Sequence, residues 1–529
     1  MSQNKHYDII IIGSGIGALT LASIMAKFNK KRVLILERHS KIGGYTHSFS
    51  RKQYKWDVGL HYIGTIFEGR LTGRVFDFIT NGKLKWQKIL EPFEAFVYPD
   101  FTFKLFGEEK KYKHDLIRMF PKEKSAIKSY FRDIKLATCW YLIYFLCRFL
   151  PLFLRIPLAI INKLFQRKAL MVTSDYLDRC FKDRKLKSLL TSQWGNYGLP
   201  PSRSSFLIHA LVVNHFINGG YYPKGGAEEI ANTIVPTIEQ QGGKCLANHE
   251  VTQVIVEDSR AVGVSVNVGN RSQPYTEKYY APVIVSNIGA YNTFTKLIPK
   301  DIHIPFAKKC VNINNTSTCV ALYVGLKDDV KSLGIKSTNH WIYDSYDHEK
   351  HYRNSKLVEG SPSACYLSFI FHKDLKVKAN TAVIIAYVYY SKFKKWRHQS
   401  SGKRDKEYYD LKDTISDGLI NFVNRRYPGF RNMVDHAELA TPLTSEHFTD
   451  HSEGAMYGLP ATPERYRQKW LKVKTPLKGF YITGTDISAL GVVPSMMGGL
   501  ATASYLNGPF GFFKLVREMR KNNGHKSHS

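Results

Sequence analysis

The sequence predicts an α/β protein built on a doubly wound parallel sheet, and three observations support this. An apolar run at 7–12 leads into closely spaced glycines, a helical pattern at 19–28 and a second apolar run at 32–36. This strand–helix–strand order with short turns is typical of a Rossmann-type unit. Two later segments, 225–264 and 480–506, carry further strand and helix signals of the same kind. The sheet domain is therefore expected to be discontinuous along the chain.

The glycine-rich turn predicts a dinucleotide site. Gly13, Gly15 and Ala18 form a G-x-G-x-x-A pattern, in which the first glycine permits a tight turn and the second lets the backbone approach a pyrophosphate. The small Ala18 lets the helix pack on the sheet, and the free N–H groups of the helix then face the pyrophosphate. Glu37 ends the second strand, where a carboxylate accepts hydrogen bonds from the adenosine ribose. The alternative is that this glycine pattern forms a tight turn that binds no dinucleotide. The presence of Glu37 at the end of the second strand disfavours this alternative.

Two further features point to FAD rather than NAD. Glu37 is followed by Arg38 and by Gly43-Gly44, a pattern that resembles the amine oxidase and phytoene desaturase superfamily of flavoproteins. That resemblance also implies that Asp486 binds a ribityl hydroxyl of the flavin, with helix capping as the alternative role. The helix containing Gly498-Gly499 would direct its N-terminal N–H groups at the flavin's pyrimidine edge. The predicted cofactor contacts are Gly13, Ser14, Gly15, Gly17, Ala18, Glu37, Arg38, Gly43, Gly44, Val251, Gly484, Asp486 and Met497.

Two insertions interrupt the cofactor domain. Residues 105–219 have a helical pattern, and 310–443 contain strand patterns such as 320–324 and 383–390. We predict a discontinuous Rossmann-type FAD-binding domain (1–104, 220–309 and 444–510) with an inserted α+β domain (105–219 and 310–443) that contacts substrate and membrane. Residues 511–529 are expected to form a basic tail that frays.

Composition limits the classes of partner. Hydrophobic residues make up 43% of the chain, as in globular proteins, and 76 Lys plus Arg against 44 Asp plus Glu give a net charge of +32. Such a charge favours anionic partners, namely nucleic acid, acidic lipid headgroups or acidic proteins. A well-solvated basic surface is an equal alternative to one that attracts a membrane. We find no nucleic-acid-binding motif, and no nucleic acid partner is expected.

Metal and disulfide sites are not expected. None of the seven cysteines stands in C-x-x-C spacing, which disfavours zinc and fits a reducing compartment. His209 and His215 are six residues apart on a predicted helix and therefore point to different faces. No signal peptide is expected, because the first apolar run opens almost at the start.

Several blocks resemble the retinol saturase (all-trans-retinol 13,14-reductase) family over nearly the whole chain. They include the D-x-G-x-H-Y-x-G segment at 57–64, the Y-G-x-x-P region at 196–201, the segment at 219–226 and the segment at 454–458. Plant carotenoid isomerases and bacterial phytoene desaturases are the more distant relatives. The resemblance implies an FAD-dependent enzyme that acts on carbon–carbon double bonds of a lipophilic polyene, most simply by saturating a retinoid or carotenoid-like substrate.

The resemblance also implies candidate catalytic residues. His61 and Tyr62 lie on a segment that is near the flavin in this superfamily, and Tyr457 is expected to approach the flavin ring. His61 is our candidate for the acid that protonates the substrate, because histidine titrates near neutral pH, with Tyr62 or Tyr457 as alternatives. A histidine that only hydrogen-bonds backbone is an equal alternative. Trp194 and Tyr197 either line a flat tunnel for the polyene or belong to the core.

The segment 136–161 predicts peripheral or monotopic membrane association on the cytoplasmic side. It is apolar except for Arg148 and Arg155, and it contains Pro151 and Pro157, which disfavour one straight spanning helix. Two short interfacial helices fit better, with the buried helical pair as the alternative. Phe510, Phe512, Phe513 and the basic residues 517–521 offer a second contact.

The alternative functions are a carotenoid isomerase, a phytoene-type desaturase and an inactive flavin-binding membrane scaffold. NAD(P)H is a possible electron donor, although no second dinucleotide fingerprint is visible in the sequence. Oxidoreductase chemistry is favoured because a flavin itself carries the reaction and requires no protein nucleophile, triad or metal cluster.

Overall fold

The computed structural model describes residues 5–67, 69–147, 150, 152–269, 275–313, 317–335, 339–369 and 380–524. Its strands are β1 (Ile9–Ile12), β2 (Val33–Leu36), β3 (Ser48–Arg51), β4 (Tyr54–Asp57), β5 (Trp86–Lys88), β6 (Glu94–Val97), β7 (Thr102–Leu105), β8 (Tyr221–Pro223), β9 (Lys244–Leu246), β10 (His249–Glu257), β11 (Arg260–Val268), β12 (Tyr275–Tyr280), β13 (Val283–Ser286), β14 (Cys319–Leu326), β15 (Asn339–Tyr343), β16 (Ala364–Phe369), β17 (Thr381–Tyr387), β18 (Val434–Ala440) and β19 (Phe480–Ile482).

Most of the helices lie in the first insertion or between strands of the parallel sheet that is described below. They are α1 (Ile16–Asn29), α2 (Leu71–Ile79), α3 (Glu109–Met119), α4 (Lys124–Leu146), α5 (Leu152–Ala169), α6 (Thr173–Cys180), α7 (Arg184–Leu190), α8 (Phe206–Phe216), α9 (Glu229–Glu239), α10 (Ala290–Asn292), α11 (Ala307–Asn312), α12 (His348–Arg353), α13 (Lys406–Arg426), α14 (Phe430–Met433), α15 (Pro442–Thr449), α16 (Pro463–Arg467), α17 (Val492–Leu506) and α18 (Gly511–Gly524).

A five-stranded parallel sheet forms the centre of the cofactor domain, in the order β19-β13-β1-β2-β9. Strand β1 consists of four isoleucines that are all buried, as expected for a parallel strand covered on both faces. Strand β1 pairs with β2 and with β13, β9 pairs with β2, and β19 pairs with β13 at the edge of the sheet. The sheet therefore combines the N-terminal strands with strands from distant parts of the chain. The predicted discontinuous Rossmann-type arrangement is therefore confirmed.

A seven-stranded mixed sheet forms the second domain, in the order β18-β14-β17-β16-β15-β6-β7. Helices of the first insertion share a hydrophobic core with this sheet, and they agree with the helical pattern at 105–219. The two domains share a boundary at which the parallel sheet presents its carboxyl ends, where ligands bind in open α/β sheets.

The structure corrects one predicted domain boundary and one predicted strand end. Strands β6 and β7 were assigned with the cofactor domain, but β6 pairs with β15 and β7 pairs with β6, so 94–105 belongs to the second sheet. The reason is that a short apolar run carries no information about which distant strand completes its hydrogen bonds. The predicted strand at 383–390 ends earlier, at Tyr387.

The predicted C-terminal tail is a helix over most of its length. Residues 511–524 form α18, in which Leu515 and Met519 are buried against the cofactor domain. The periodic apolar residues of this segment outweigh its basic composition, because a helix can bury one face and expose its charges on the other. Residues 525–529 lie outside the described part of the chain.

Candidate active site

The predicted glycine turn forms a cradle in front of the N-terminus of α1. Gly13 has φ +85°, a left-handed conformation that favours glycine. A Cβ on Gly15 would lie 2.9 Å from the Nδ2 atom of Asn287, and a Cβ on Gly44 would lie 3.0 Å from the Cα of Gly15. The two glycine pairs therefore approach each other closely and leave backbone rather than side chains facing the space above the helix N-terminus. This arrangement suits a pyrophosphate group.

The carboxylate of Glu37 connects the two strands that carry this cradle. Its Oε2 atom accepts hydrogen bonds from the backbone N–H and from the hydroxyl of Ser14, at 2.8 and 2.7 Å. Its Oε1 atom accepts from the N–H of His39 at 2.8 Å, and the Ser14 hydroxyl oxygen accepts from the N–H of Gly43 at 3.0 Å. Of the two oxygens, Oε1 accepts one bond and can accept another, so Glu37 keeps capacity for a ribose hydroxyl.

Arg38 and Val251 lie beyond Glu37, at one end of the site. The guanidinium of Arg38 donates to the carbonyl of His447 at 3.1 Å and lies 3.6 Å from the Glu250 carboxylate. Val251 lines the same space at a register shift of β10, where the next residue is not paired with β11. Both predicted contacts therefore stand where the adenosine half of a dinucleotide would follow the pyrophosphate.

Four predicted contacts pack the protein and do not line the site. Gly17 and Gly484 meet each other, since a Cβ on Gly17 would lie 2.8 Å from the Cα of Gly484. Ala18 is fully buried between α1 and the sheet. Asp486 is buried, and its two carboxylate oxygens accept the N–H groups of Ala290 and Leu459 at 2.7 and 3.0 Å. Asp486 therefore joins two loops in the structure, and its contact with a ribityl hydroxyl stays a prediction.

Helix α17 packs beside α1 and also presents its N-terminus to the site. Gly491, Val492 and Ser495 of its first turn line the space, and so does the predicted contact Met497. The first N–H groups of a helix have no partner within the helix, and they carry the positive end of its dipole. The side of the site that faces α17 therefore favours an electron-rich group.

One continuous cavity of about 1910 Å³ joins this cradle to the second domain. Ligand sites for one small molecule commonly occupy about 300–1,000 Å³, so the cavity has room for two ligands placed end to end or side by side. Its lining includes the predicted cofactor contacts Gly13, Ser14, Gly15, Glu37, Arg38, Gly43, Gly44, Val251 and Met497 and the catalytic candidates His61, Tyr62 and Tyr457. The structure therefore brings most of the predicted site residues to a single space.

Aromatic rings form the wall of the cavity inside the second domain. The rings of Trp194 and Tyr387 lie 4.5 Å apart between centroids, and those of Trp341 and Tyr366 also lie 4.5 Å apart. A Cβ on Gly195 would come within 2.5 Å of the Trp341 ring, so this glycine lets the two walls approach. We call the part of the cavity lined by Trp194, Trp341, Tyr366 and Tyr387 the aromatic chamber. Trp194 lines it, whereas Tyr197 is buried outside it.

The three catalytic candidates lie at the entrance of the aromatic chamber. The imidazole of His61 packs edge-on against the Tyr366 ring, with 5.3 Å between centroids. Tyr62 donates its hydroxyl proton to the Glu94 carboxylate, and the side-chain amide of Asn196 donates to the Tyr62 oxygen at 3.1 Å. Burial raises the pKa of Tyr62 well above its usual value.

Tyr457 is connected to the same residue. Its hydroxyl donates to the backbone carbonyl of Asn196 at 3.0 Å, and burial raises its pKa. Asn196 therefore holds two tyrosine hydroxyls, one through its side chain and one through its backbone. A tyrosine with a raised pKa keeps its proton at neutral pH, so both side chains are hydrogen-bond donors in the resting protein.

Sequence reasoning missed Glu94, Asn196 and His215. His215 accepts the N–H of Gly64 at 2.7 Å and so fixes the loop that carries His61 and Tyr62. A single carboxylate within the apolar run of β6 was the signal that could have identified Glu94, because buried carboxylates need partners. His209 bonds Tyr130 at 2.7 Å on a different face of α8 from His215. Within the described residues, no group of three or more metal-ligating side chains could hold a metal ion.

Comparison with known proteins identifies the family. A family model described as an NAD(P)-binding Rossmann-like domain matches residues 11–79. An all-trans-retinol 13,14-reductase of Danio rerio is 29% identical over 552 residues, covering 99% of this chain and 90% of that protein. The all-trans-retinol 13,14-reductase of Rattus norvegicus is 30% identical over 529 residues, covering 94% and 85%. This chain belongs to the all-trans-retinol 13,14-reductase family. It is an oxidoreductase.

Two further relatives have names that correspond to the alternative functions considered from the sequence. A prolycopene isomerase of an Oncidium hybrid cultivar is 24% identical, covering 97% of this chain and 86% of that protein. A Danio rerio protein named as an inactive all-trans-retinol 13,14-reductase is 28% identical, covering 94% and 85%. The predicted relationship of the reductase family to carotenoid isomerases is confirmed.

Solved structures share the fold at low sequence identity. An oxidoreductase from Methanosarcina mazei has a TM-score of 0.62 at 14% identity and covers 93% of this chain and 99% of that chain. Putrescine oxidase has a TM-score of 0.62 at 12% identity, covering 97% and 99%. The all-trans-retinol 13,14-reductase family member described here therefore has an amine oxidase-like α/β fold, which together with the dinucleotide cradle indicates a flavin cofactor.

Proposed function

We propose that the chain binds FAD without a covalent link and saturates a carbon–carbon double bond of a lipophilic polyene of the retinol class. The observation that carries this proposal is the single cavity that runs from the dinucleotide cradle to the aromatic chamber. A cofactor held in the cradle and an elongated apolar substrate held in the chamber would meet at His61, Tyr62 and Tyr457. The names of the related reductases supply the substrate class and the direction of the reaction.

The residues around the cradle fit FAD in three respects. The N-terminus of α1, with Gly15 and Gly44 against each other, accommodates a pyrophosphate without a side chain in the way. Glu37 has acceptor capacity for a ribose, and the buried Oδ1 atom of Asn287, which lacks a partner among the described residues, is an acceptor beside the cradle. The α17 N-terminus would stabilise the negative charge of a reduced flavin ring.

The protein's contribution to saturation is to orient the polyene, exclude water and supply a proton. A bound reduced flavin supplies the hydride equivalent. The paired rings of Trp194 with Tyr387 and of Trp341 with Tyr366 offer flat apolar surfaces to a conjugated chain. Tyr62 and Tyr457 hold protons at the entrance to this chamber, and His61 lies against its wall. A positioned acid of this kind contributes about a hundredfold or more to rate.

We also propose that the helical pair α4–α5 binds the surface of a membrane. One face of α5 exposes Phe153, Ile156, Ile160, Ile161 and Phe165, of which Phe153 is 66% exposed and Ile160 63%. This three- and four-residue spacing is that of an amphipathic helix, and the exposed Arg155, Lys163 and Arg167 would contact anionic headgroups. No helix among the described residues is long and apolar enough to cross a membrane. Arg148 and Pro151 lie outside the described residues.

The membrane proposal explains how an insoluble substrate reaches the cavity. Leu142 of α4 is 54% exposed and also lines the cavity, together with Thr138 and Cys139 one turn earlier. An opening between α4 and the neighbouring wall would therefore lie beside the exposed apolar face of α5. A polyene dissolved in the bilayer would enter the chamber there without crossing water, which avoids the free-energy cost of exposing it.

Reoxidation of the bound cofactor tests the proposed function. The purified protein, loaded with FAD and reduced with dithionite without oxygen, is mixed with all-trans-retinol, and flavin absorbance is followed in a stopped-flow instrument. We expect the oxidised flavin spectrum to return with retinol and not with a fully saturated analogue. Flavin that stays reduced with retinol and with carotenoids would contradict the proposed reaction. NADH and NADPH replace dithionite in a second series, to identify the donor class.

A further inference from the structure

A buried carboxylate stands directly behind the wall of the cavity. Glu94, at the start of β6, is completely buried and does not line the cavity itself. Its Oε1 atom accepts hydrogen bonds from the Tyr62 hydroxyl and from the indole N–H of Trp341, the latter at 3.0 Å. Its Oε2 atom accepts from the side-chain amide of Gln193. Tyr62 and Trp341 line the cavity, so Glu94 touches the chamber only through them.

The hydrogen bonds around Glu94 can be satisfied in two protonation states. When Glu94 is ionised, Tyr62 donates to it, and the tyrosine proton points away from the cavity. When Glu94 is protonated, its own proton lies toward the Tyr62 oxygen, while Trp341 and Gln193 still donate as before. Because Asn196 also donates to the Tyr62 oxygen at 3.1 Å, the tyrosine proton is then directed into the chamber.

Burial is the factor that favours the protonated state of Glu94. Among the described residues, the buried hydroxyl groups of Tyr112 of α3, Tyr343 of β15 and Tyr366 of β16 lie within electrostatic range of its carboxyl group. Full burial disfavours the charged form of a carboxylic acid, and the three direct donors described above are neutral. Neutral donors stabilise a carboxylate less than an adjacent cation does.

We propose that Glu94 is the positioning residue that directs the Tyr62 proton into the chamber and replaces it after transfer. The inference rests on the proposed function. Saturation adds a hydride equivalent, which a bound reduced flavin would supply, to one carbon of the double bond, and it adds a proton, donated by Tyr62, to the other carbon. The O–H bond of Tyr62 breaks as the Glu94 proton moves to the tyrosine oxygen. The transfer leaves Glu94 ionised, and Glu94 regains a proton from water before the next turnover.

Infrared spectroscopy tests the protonation state without any substrate. Glu94→Gln keeps the shape and the acceptor for Trp341 but cannot hold an acidic proton. We expect wild type at pH 7 to show the carbonyl stretch of a protonated carboxylic acid that Glu94→Gln lacks. The matched control is Asp133→Asn, since Asp133 is also buried and accepts from a tyrosine, Tyr176 at 2.9 Å, but lies outside the cavity. Absence of such a band in the wild type between pH 6 and 8 overturns the proposal.

Kinetics test the role of Glu94 through Tyr62. We expect Glu94→Gln to lower kcat about a hundredfold with KM changed less than about threefold, and to remove the fall of kcat at alkaline pH. Tyr62→Phe should have an equal or larger effect, and the double variant should be no slower than Tyr62→Phe, because the two residues act in series. Additive losses, or a Glu94→Gln variant with the wild-type pH profile, would contradict the relay. Failure of the wild type to reduce any polyene would instead refute the proposed function, while the infrared result still decides the state of Glu94.

Discussion

Ser14 and Glu37 are hydrogen-bonded twice, through the Ser14 backbone N–H and through its hydroxyl, at 2.8 and 2.7 Å from the same Glu37 oxygen. These bonds tie the turn after β1 to the end of β2, and the Ser14 hydroxyl also receives the N–H of Gly43. Three segments of the cradle are thus held together before any cofactor binds. Such preorganisation reduces the free-energy cost of ordering the site on binding.

Substitution of Gly15 should remove the flavin in proportion to the size of the new side chain. Gly15 has ordinary backbone angles, so alanine is allowed by the backbone, but its Cβ would lie 2.9 Å from the Asn287 amide. We expect Gly15→Ala to weaken flavin binding by about tenfold and Gly15→Leu to abolish the yellow colour of the purified protein. Flavin absorbance per protein measures occupancy, and circular dichroism checks that each variant folds. Full occupancy in Gly15→Leu would remove the cofactor assignment.

The sequence was sufficient to predict the parts of the fold that depend on local patterns. The order of Gly13, Gly15 and Ala18 between two apolar runs determines a strand, a turn and a helix within about thirty residues. Nothing local indicated that β6 pairs with β15, some 245 residues away, because register between distant strands depends on packing that no short segment specifies. The helix α18 was missed for a related reason, since its burial depends on the surface it meets.

The candidate site likewise contains residues that a local sequence pattern identifies and residues that no local pattern identifies. Residues predicted to contact a cofactor through backbone, such as Gly13 and Gly44, carry a sequence pattern because their backbone conformation favours glycine. Asp486 carried the same kind of pattern, yet its carboxylate holds the loops at Ala290 and Leu459. Glu94 had no motif, because a carboxylate that acts through a neighbour is recognisable only once the neighbour is known. Side-chain geometry, rather than composition, decides such roles.

The apolar face of α5 should determine membrane binding. Ile160 on α5 is 63% exposed, and Leu90, which lies outside α5, is 64% exposed. A change to glutamate can therefore be compared at two equally exposed aliphatic side chains. We expect Ile160→Glu to weaken binding to phosphatidylserine vesicles at low salt by about tenfold or more, because burying an isoleucine contributes about 1.5–3 kcal/mol. Leu90→Glu is the matched control and should bind as wild type does. Equal sedimentation of both variants with vesicles would show that α5 is not the contact.

Replacement of His61 should slow turnover and leave the flavin in place. His61 lies against Tyr366 in the chamber wall, whereas the Tyr62 proton faces the substrate in the proposed relay. We therefore expect His61→Ala to lower kcat/KM by about tenfold, which is a smaller loss than we expect in Tyr62→Phe. The kcat/KM of Tyr457→Phe should lie between those of wild type and Tyr62→Phe. Steady-state kinetics with FAD-saturated protein measures the order. A larger loss in His61→Ala than in Tyr62→Phe would identify His61 as the acid.

His209 should make the protein less stable in acid. Burial lowers its pKa to about 3, from an ordinary value of 6.5, so the folded protein keeps it neutral. The stabilising contribution is fully present above pH 6.5 and is lost as pH falls toward 3, because the unfolded chain takes up a proton that the folded chain does not.

The slope of stability against pH measures this proton. Between pH 4 and pH 6, we expect the free energy of unfolding of His209→Gln to fall less steeply than that of wild type, by about 1.4 kcal/mol per pH unit. Urea unfolding at a series of pH values provides the data. Tyr130→Phe removes the hydrogen-bond partner of His209 but keeps the imidazole, so it should be less stable than wild type with an unchanged slope. Equal slopes for His209→Gln and wild type would contradict the prediction.

The mass of the product tests the central claim most directly. The FAD-loaded protein is chemically reduced without oxygen, incubated with all-trans-retinol, and the retinoids are extracted and separated by chromatography with mass detection. The account predicts a product heavier than the substrate by two hydrogens, formed in an amount that matches the reduced flavin. A product of unchanged mass with a shifted spectrum would mean an isomerase. Loss of two hydrogens with oxidised protein would mean a desaturase, and either result would contradict saturation.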